Sequence, residues 1–490
     1  MWWLLLLGVL LAVVVYDLLQ PKHAILRNFP VIGHLRYWLE NIGPELRQYI
    51  VTSNDEERPF SRDQRRWIYS SAKKQNNYFG FGTDNDLDTS EDYPIFSHAA
   101  FPKDDIHPGM AGYDAQHKLA CTKIMGEAHG RKYAFRPASV LNVSAMSFGS
   151  LSSTAVMALN RGVKKAGGLH NTGEGGISPY HQQGGDLIWQ LGTGYFGARG
   201  ADGNFDLGRF RETVAANPNL KAIEVKLSQG AKPGIGGILP GAKVTPEIAA
   251  IRGIPQGEDC LSPSHHRAFG DVDGMLEFIE LLAAESGLPV GIKSAVGTPL
   301  FWQDLARRMA VTKTGPDFLA IDGGEGGTGA GPLVFTDHVS LPLMHALPRA
   351  LQPFREHDIL DEIIVMASGR LGLPPRALLA FGLGADMIGL ARESMMAIGC
   401  IQAQRCHTGH CPTGVATQNK WLQRGLDPTD KSERLANYLI MLRKELLRLS
   451  RACGYDHPSA VPLAQMEVLC GPLGPRPASE IYHGRATIEV

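Results

Sequence analysis

The chain lacks most of the patterns that place a protein at a glance. No CxxC pair and no histidine pair at zinc-finger spacing occur in it, which excludes the common structural zinc sites. It has no excess of either charge: 48 Lys and Arg stand against 49 Asp and Glu, a formal net charge of −1, which argues against a general nucleic-acid binder. No Rossmann dinucleotide fingerprint is read in it, so NAD(P)H is not expected to bind here directly. The seven cysteines are an odd set without framework spacing, which fits a reduced compartment better than secretion. Cys121, Cys260, Cys453 and Cys470 stand alone and read as ordinary thiols. With 44% hydrophobic and 20% charged residues, the 490 residues suffice for one large barrel or two to three smaller domains.

The N-terminus differs in kind. Met1 to Tyr16 reads MWWLLLLGVLLAVVVY, with no charge before Asp17. Extended to Leu19, it reaches about the 18 residues of a membrane-spanning candidate. No lysine or arginine precedes it and no small-residue cleavage site follows, so a retained single-pass anchor is expected rather than a removed signal. Lys22, Arg27 and Arg36 come next, and the positive-inside rule then keeps the rest of the chain on the cytoplasmic face. The other reading is a buried N-terminal helix or strand. The expected sections are an anchor over 1–20, a small α/β section over 21–135, a barrel over 136–455 and a tail over 456–490. In the second section Glu45–Ile50 and Ser61–Gln75 read as helical and Tyr78–Thr83 as a turn-rich strand. Its basic residues are a solvated face or a contact with anionic lipid. After Pro475 the tail reads as irregular.

From about residue 140 short apolar runs alternate with helical ones, the pattern of a parallel α/β fold. Eight strands are read: Leu141–Ala145, Gly168–Thr172, Leu187–Leu191, Ala222–Lys226, Val290–Lys293, Phe318–Asp322, Ile363–Ser368 and Met387–Leu390. The expectation is a (β/α)8 TIM barrel with an N-terminal transmembrane helix. Functional residues of such barrels sit at the C-terminal ends of the strands. There the chain places Ser144-Ala-Met146-Ser147-Phe-Gly-Ser, Asn171-Thr-Gly-Glu-Gly-Gly, Lys226 with Gln229-Gly-Ala-Lys232, Lys293, and Asp322-Gly323-Gly324-Glu-Gly-Gly. Each alone is a plain turn; together they suit a flat ring approached closely by backbone. Ser368-Gly369-Arg370 and Gly389-Leu-Ala-Arg392 follow the seventh and eighth strands, where barrels often bind phosphate. Arg392 is equally open to an ion pair. Residues 430–452 read as a packing helix.

Just beyond lies Cys400-x5-Cys406-x4-Cys411-Pro. Three thiolates in a Gly- and Pro-containing turn suit a soft metal centre. His407 and His410 each adjoin a cysteine, where geometry favours sulfur. The alternative is three ordinary loop cysteines.

The cysteine loop continues Pro412-Thr-Gly414-Val415-Ala416-Thr417-Gln418, and in this form it resembles the iron–sulfur loop of the glutamate synthases. The resemblance covers roughly residues 140–450, through MSFGSLS, NTGEGG, KLSQGAKPGIGGILPG, SPSHH and DGGEGGTGAGP in the family's order. It implies a synthase barrel in which reduced FMN delivers a hydride to 2-iminoglutarate, formed from 2-oxoglutarate and ammonia, to give L-glutamate. It further implies that Cys400, Cys406 and Cys411 hold a 3Fe-4S cluster. Ser144, Met146, Ser147, Asn171, Gly323, Gly324, Ser368, Gly369, Arg370, Gly389 and Arg392 would then bind FMN. Lys293 would stabilise the anionic reduced flavin or a substrate carboxylate, as would Lys226, with Gln229 and Lys232 contacting substrate. A buried lysine without a partner is costly, so an anion is expected near Lys226 and Lys293, unless Glu174 or Asp322 pairs with one of them. His265 and His266 are expected to be structural. Unlike the large members, the chain shows no glutaminase domain with an N-terminal cysteine and no C-terminal β-helix. Ammonia is therefore expected free or from a partner, and electrons from a ferredoxin, a reductase subunit or quinone. The other readings are a related enzyme of another 2-oxo acid, imine or N-alkylated amino acid, and a membrane-tethered electron-transfer subunit.

Overall fold

The computed structural model describes residues 2–52, 56–78 and 80–482. Eight parallel strands close into a barrel. They are β1 Leu141–Val143, β2 Leu169–Asn171, β3 Asp186–Leu191, β4 Leu220–Lys226, β5 Val290–Ser294, β6 Phe318–Asp322, β7 Ile364–Ser368 and β8 Met387–Leu390. They follow chain order around the ring, and β8 closes on β1 with Ile388 beside Leu141 and Leu390 beside Val143. Each apolar run read from the sequence is one of these strands. Strands β5, β6 and β8 are buried along their whole length, as parallel strands under helices are.

The N-terminal ends of the strands are filled. Leu169, Ile188, Ala222, Phe318, Ala320, Ile364, Met366 and Met387 form one cluster, plugged by Cys121, Met125 and Phe135 from the segment before β1. Gly291 is small because the Phe318 ring takes its space: a Cβ there would come within 2.4 Å of that ring. Burial pushes the Cys121 thiol up to about 11, so it is an inert core thiol. Below the plug, Arg131 binds Glu280 at 2.6 Å and Asp317 at 3.0 Å.

Outside the barrel, Ser152 caps the helix Ser153–Ala166 by accepting from Ala155 N, a cap of the kind that contributes about 1 kcal/mol. That helix packs on Pro428–Ala452, where Leu435, Tyr438, Leu439, Leu442 and Leu446 are buried as their spacing predicts. Gly162 permits the close crossing, since its Cβ would lie 2.7 Å from Leu435.

The chain divides into two compact units, one ending at Arg66 and one starting at Trp67. Within the first, Trp2–Leu19 is the one described helix that is long and apolar enough to cross a membrane by length and composition. Asp17 is buried and organises the following turn, accepting from Val31 N at 2.9 Å and bonding His34 Nε2 at 2.9 Å.

Within the second unit, the described residues of Tyr78–Thr83 form bends rather than a strand. The described residues after Pro475 are not irregular either, and 483–490 lie outside the described residues. Pro475–Pro477 pairs antiparallel with Met466–Cys470, which pairs in turn with Glu91–Phe96, and Ala478–Tyr482 is helical. A three-residue strand carries too short a period to be read, and its partner alone makes it one.

Candidate functional site

The C-terminal ends of the strands form a charged mouth. At the end of β4, Lys226 Nζ donates to Glu174 Oε1 at 2.7 Å and to Gln229 Oε1 at 2.9 Å. At the end of β5, Lys293 Nζ lies 3.5 Å from Asp322 Oδ2, at the end of β6. The pairing with Glu174 or Asp322, the alternative left open by the sequence, is realised at both lysines, because neighbouring barrel loops carry acidic and basic ends to the same rim. Burial pulls Lys293 down, but Asp322, Glu224 and Glu174 together outweigh it and hold its pKa above the ordinary lysine value. Asp322 also accepts from Gly230 N at 2.9 Å and from the Ser368 hydroxyl of β7.

Lys232 is different. It is buried, donates to the Gly236 carbonyl at 3.2 Å, and has a pKa lowered to about 8 by burial, with Glu174 opposing and Lys226 adding. Beneath the lysines runs a polar layer. Glu224 accepts from Asn171 Nδ2 at 2.8 Å and Gln190 Nε2 at 2.6 Å, while Asn171 Oδ1 accepts from Gly173 N at 3.0 Å. Asn171 is thus engaged with the protein itself. His266 is structural as expected: one ring nitrogen meets the Lys226 carbonyl at 2.9 Å, the other the Tyr195 hydroxyl at 3.1 Å, and burial lowers its pKa to about 4.

The glycine loops lie on one another. A Cβ on Gly173 would stand 2.6 Å from Ser147 N, and one on Gly230 only 1.8 Å from the Gly323 carbonyl. A Cβ on Gly323 would meet Leu343 N at 2.8 Å and one on Gly324 the Ser340 carbonyl at 2.6 Å, so both glycines are required by neighbouring chain. The run from Gly324 to Gly329 has dinucleotide-loop spacing, but the next helix starts only at Leu333. Gly389 is another case. Its nearest neighbours would be Ser368 Cβ at 3.4 Å and Ser144 Cβ at 3.6 Å, so these three residues make one small-residue floor across β7, β8 and the end of β1. Met146 and Ser147 are buried in the next loop, with Ser147 Oγ bonding Ser150 Oγ at 3.1 Å.

Arg370, Arg376 and Arg392 gather at the loops after β7 and β8. Burial, then the charges of Arg376 and Arg392, hold Arg370 below the usual arginine value. Arg370 has a left-handed φ of 54°, next to Gly369 at 152°. Arg392 resolves into neither of its expected roles alone: it donates to the Glu325 carbonyl, and the Glu325 carboxylate accepts from Leu343 N at 2.8 Å. Arg376 also pairs with Asp92 at 3.2 Å, and the three guanidiniums beside small-residue backbone suit the phosphate of FMN.

The cysteine loop is fastened to the loop after β1. Gln418 Nε2 donates to the carbonyls of Leu151 at 2.9 Å and Gly149 at 3.1 Å, and Ser152 N donates to the Val415 carbonyl at 2.9 Å. Tyr69 Oη donates to the Cys400 carbonyl at 2.8 Å. Gln402 and Gln404 hold left-handed φ of 60° and 54°, strain of the kind kept at functional loops. Cys411 is buried, Cys400 and Cys406 partly so, and His407 and His410 are exposed. Burial and then Cys411 push the Cys406 thiol up, against Lys243. Among the described residues no group of three His, Cys, Asp or Glu side chains is placed to hold a metal ion. A cluster asks for something else, since each thiolate binds its own iron. Three thiols and a buried lysine facing two of them fit such an anionic, soft centre.

Lys243, Arg252 and Glu224 were not singled out from the sequence. Arg252 is buried, bonds the Phe148 carbonyl at 3.1 Å and Ser147 Oγ at 3.4 Å, and stands 5.3 Å from the Phe196 ring centroid. Only its place at the end of the helix Pro246–Arg252 hinted at it.

A family profile described as the conserved region in glutamate synthase matches residues 117–456. The chain belongs to the glutamate synthase family. It is 39% identical over 469 residues to the glutamate synthase large subunit-like protein YerD of Bacillus subtilis strain 168, covering 90% of this chain and 88% of that protein. The archaeal glutamate synthase (NADPH) of Methanocaldococcus jannaschii is 35% identical over 322 residues, covering 64% of this chain. This member of the family spans 59% of that relative's length. Among solved structures, a mutant active chimera of (S)-mandelate dehydrogenase overlaps 81% of this chain and 97% of its own, at a TM-score of 0.47 and 13% identity.

Proposed function

We propose that the protein is an FMN- and iron–sulfur-dependent oxidoreductase that reduces 2-iminoglutarate, formed from 2-oxoglutarate and ammonia, to L-glutamate. Family membership supports a reaction of this oxidoreductase class on CH–NH2 compounds. The observation that carries the reading is the fastening of a three-thiol loop, through Gln418, onto the rim of a charged barrel mouth. Bound there, FMN would supply two-electron reduction of an imine, and a 3Fe-4S cluster would supply electrons singly.

The chain's own residues divide the remaining work. Arg370, Arg376 and Arg392 would hold the phosphate, and the floor of Ser144, Ser368 and Gly389 admits a flat ring. Lys293, kept protonated by its carboxylates, offers a fixed positive charge to an anionic ring. Lys226, Gln229, Lys232 and Arg252 present donors for the two carboxylates of a 2-oxo diacid. Glu174 and Gln229 hold Lys226 in line, so that its one remaining hydrogen is aimed rather than free. The helix Trp2–Leu19 would anchor the protein to the cytoplasmic face of a membrane. Electrons would come from a ferredoxin, a reductase subunit or the quinone pool, and ammonia from solution or a partner.

The test is anaerobic purification, analysis for FMN, iron and sulfide, and turnover with 2-oxoglutarate and ammonium under a reducing dye, followed by mass. Glutamate formation by a yellow-brown protein is expected. Colourless, iron-free protein rejects the reading; bound cofactors with no glutamate reject the substrate.

A further inference from the structure

Lys243 ends the short turn Gly241–Lys243, in the insertion between β4 and β5, and is only 3% exposed. Its ammonium has three hydrogens to give. It meets three carbonyls: Cys406 at 2.6 Å, Ala416 at 3.3 Å and Ser150 at 3.4 Å. Two of these lie in the cysteine loop and one in the loop after β1, so a single side chain ties the two loops together.

Three other buried lysines of the mouth set the contrast, and Lys232, which donates to the Gly236 carbonyl, still lies in the field of Glu174. Lys226 has Glu174 and Lys293 has Asp322. Lys243 has neutral acceptors, and among the described residues no carboxylate stands within ion-pair distance of it. A buried cation held only by neutral groups is costly. The ionisable groups that face it are the thiols of Cys406 and Cys411. The anion that would complete this cation is the centre that Cys406 and Cys411 would hold.

We propose that Lys243 is a positioning residue for the iron–sulfur centre: it fixes the cysteine loop on the barrel rim and, by its charge, raises the centre's reduction potential. The inference rests on the functional reading above. One electron taken from the donor adds a negative charge to the centre, and a fixed cation beside the ligand sulfurs favours the reduced form. The role needs no proton transfer, and it assigns to Lys243 no contact with substrate.

The experiment uses the full chain, purified anaerobically, as wild type, Lys243→Arg and Lys243→Gln. Arginine keeps the charge; glutamine keeps donors for the carbonyls without it. Iron and sulfide are measured first, then the midpoint potential by spectroscopic redox titration. The expected result is full iron content in both variants, an unchanged potential for arginine and a lower one for glutamine. Equal potentials in all three proteins overturn the electrostatic role while leaving the functional reading intact. Loss of iron from the arginine and glutamine variants alike also overturns it, since the lysine would then be needed for shape alone. A wild type without iron overturns the functional reading and this inference with it.

Discussion

Glu174 Oε1 accepts from the Lys226 ammonium at 2.7 Å, and two glycines make room for that carboxylate. A Cβ on Gly237 would stand 2.5 Å from Glu174 Oε1, and one on Gly192 2.6 Å from Oε2. In the proposed function this pair lies on the substrate side of the mouth. Glu174→Ala strands a buried ammonium, a change that costs about 3–5 kcal/mol. The expected outcome is a lower denaturant midpoint together with a raised KM for the 2-oxo acid. Gly237→Ala should reproduce the KM effect by displacing the carboxylate. Unchanged KM in both variants would remove the pair from substrate binding.

Lys232 sets a pH limit. Its pKa of about 8 lies below the ordinary lysine value of 10.5. The folded state therefore releases this proton before the unfolded chain does. Its burial costs stability in full below pH 8, and that cost fades as the pH rises from about 8 towards 10.5. For activity the sign is the opposite, because the ammonium is the form that attracts a carboxylate. kcat/KM for 2-oxoglutarate should fall above pH 8, by about tenfold per unit where the slope is limiting. Lys232→Arg should move that limb to higher pH. A pH profile identical in the two proteins would exclude Lys232 as the titrating group.

Two glycines distinguish the proposed cofactor floor from protein packing. Gly230→Ala would drive a methyl into the Gly323 carbonyl, so the β4 and β6 loops must part and the fold should suffer. Gly389→Ala meets only Ser368 and Ser144 at ordinary contact distance. The Gly389 variant should therefore unfold like wild type yet bind FMN more weakly, measured by release of flavin fluorescence on dilution. Full FMN affinity in that variant would move the ring elsewhere.

Cys406→Ser removes one soft ligand and leaves the barrel floor untouched. It should abolish iron–sulfur spectroscopic signals while FMN stays bound. If the physiological donor then reduced the flavin at an unchanged rate, the cluster would lie off the electron path.

The barrel was legible because its strands are short, buried on both faces and ended by polar or glycine residues, so each left a distinct apolar run. Lys226 and Lys293 were legible as charges at strand ends. Their pairing with Glu174 and Asp322 was visible only as an alternative, because it depends on which loops the ring brings together. Glu224 was hidden inside the apolar run of β4, and Lys243 in a glycine- and proline-rich turn that gives no period to read. Its importance comes from the three carbonyls it reaches, and none of those is near it in sequence.

The plug of Cys121, Met125 and Phe135 closes the floor beneath Phe318, and Glu91–Phe96 zips to Met466–Cys470 outside it. Neither belongs to the strand-and-helix repeat. An excised catalytic fragment trimmed to 136–455 would be a cup without a base: water would enter under the Phe318 ring, and the whole antiparallel sheet of Glu91–Phe96, Met466–Cys470 and Pro475–Pro477 would be lost with it. The shortest autonomous enzyme in this chain therefore has to keep sequence from well before the first barrel strand and well after the last long helix.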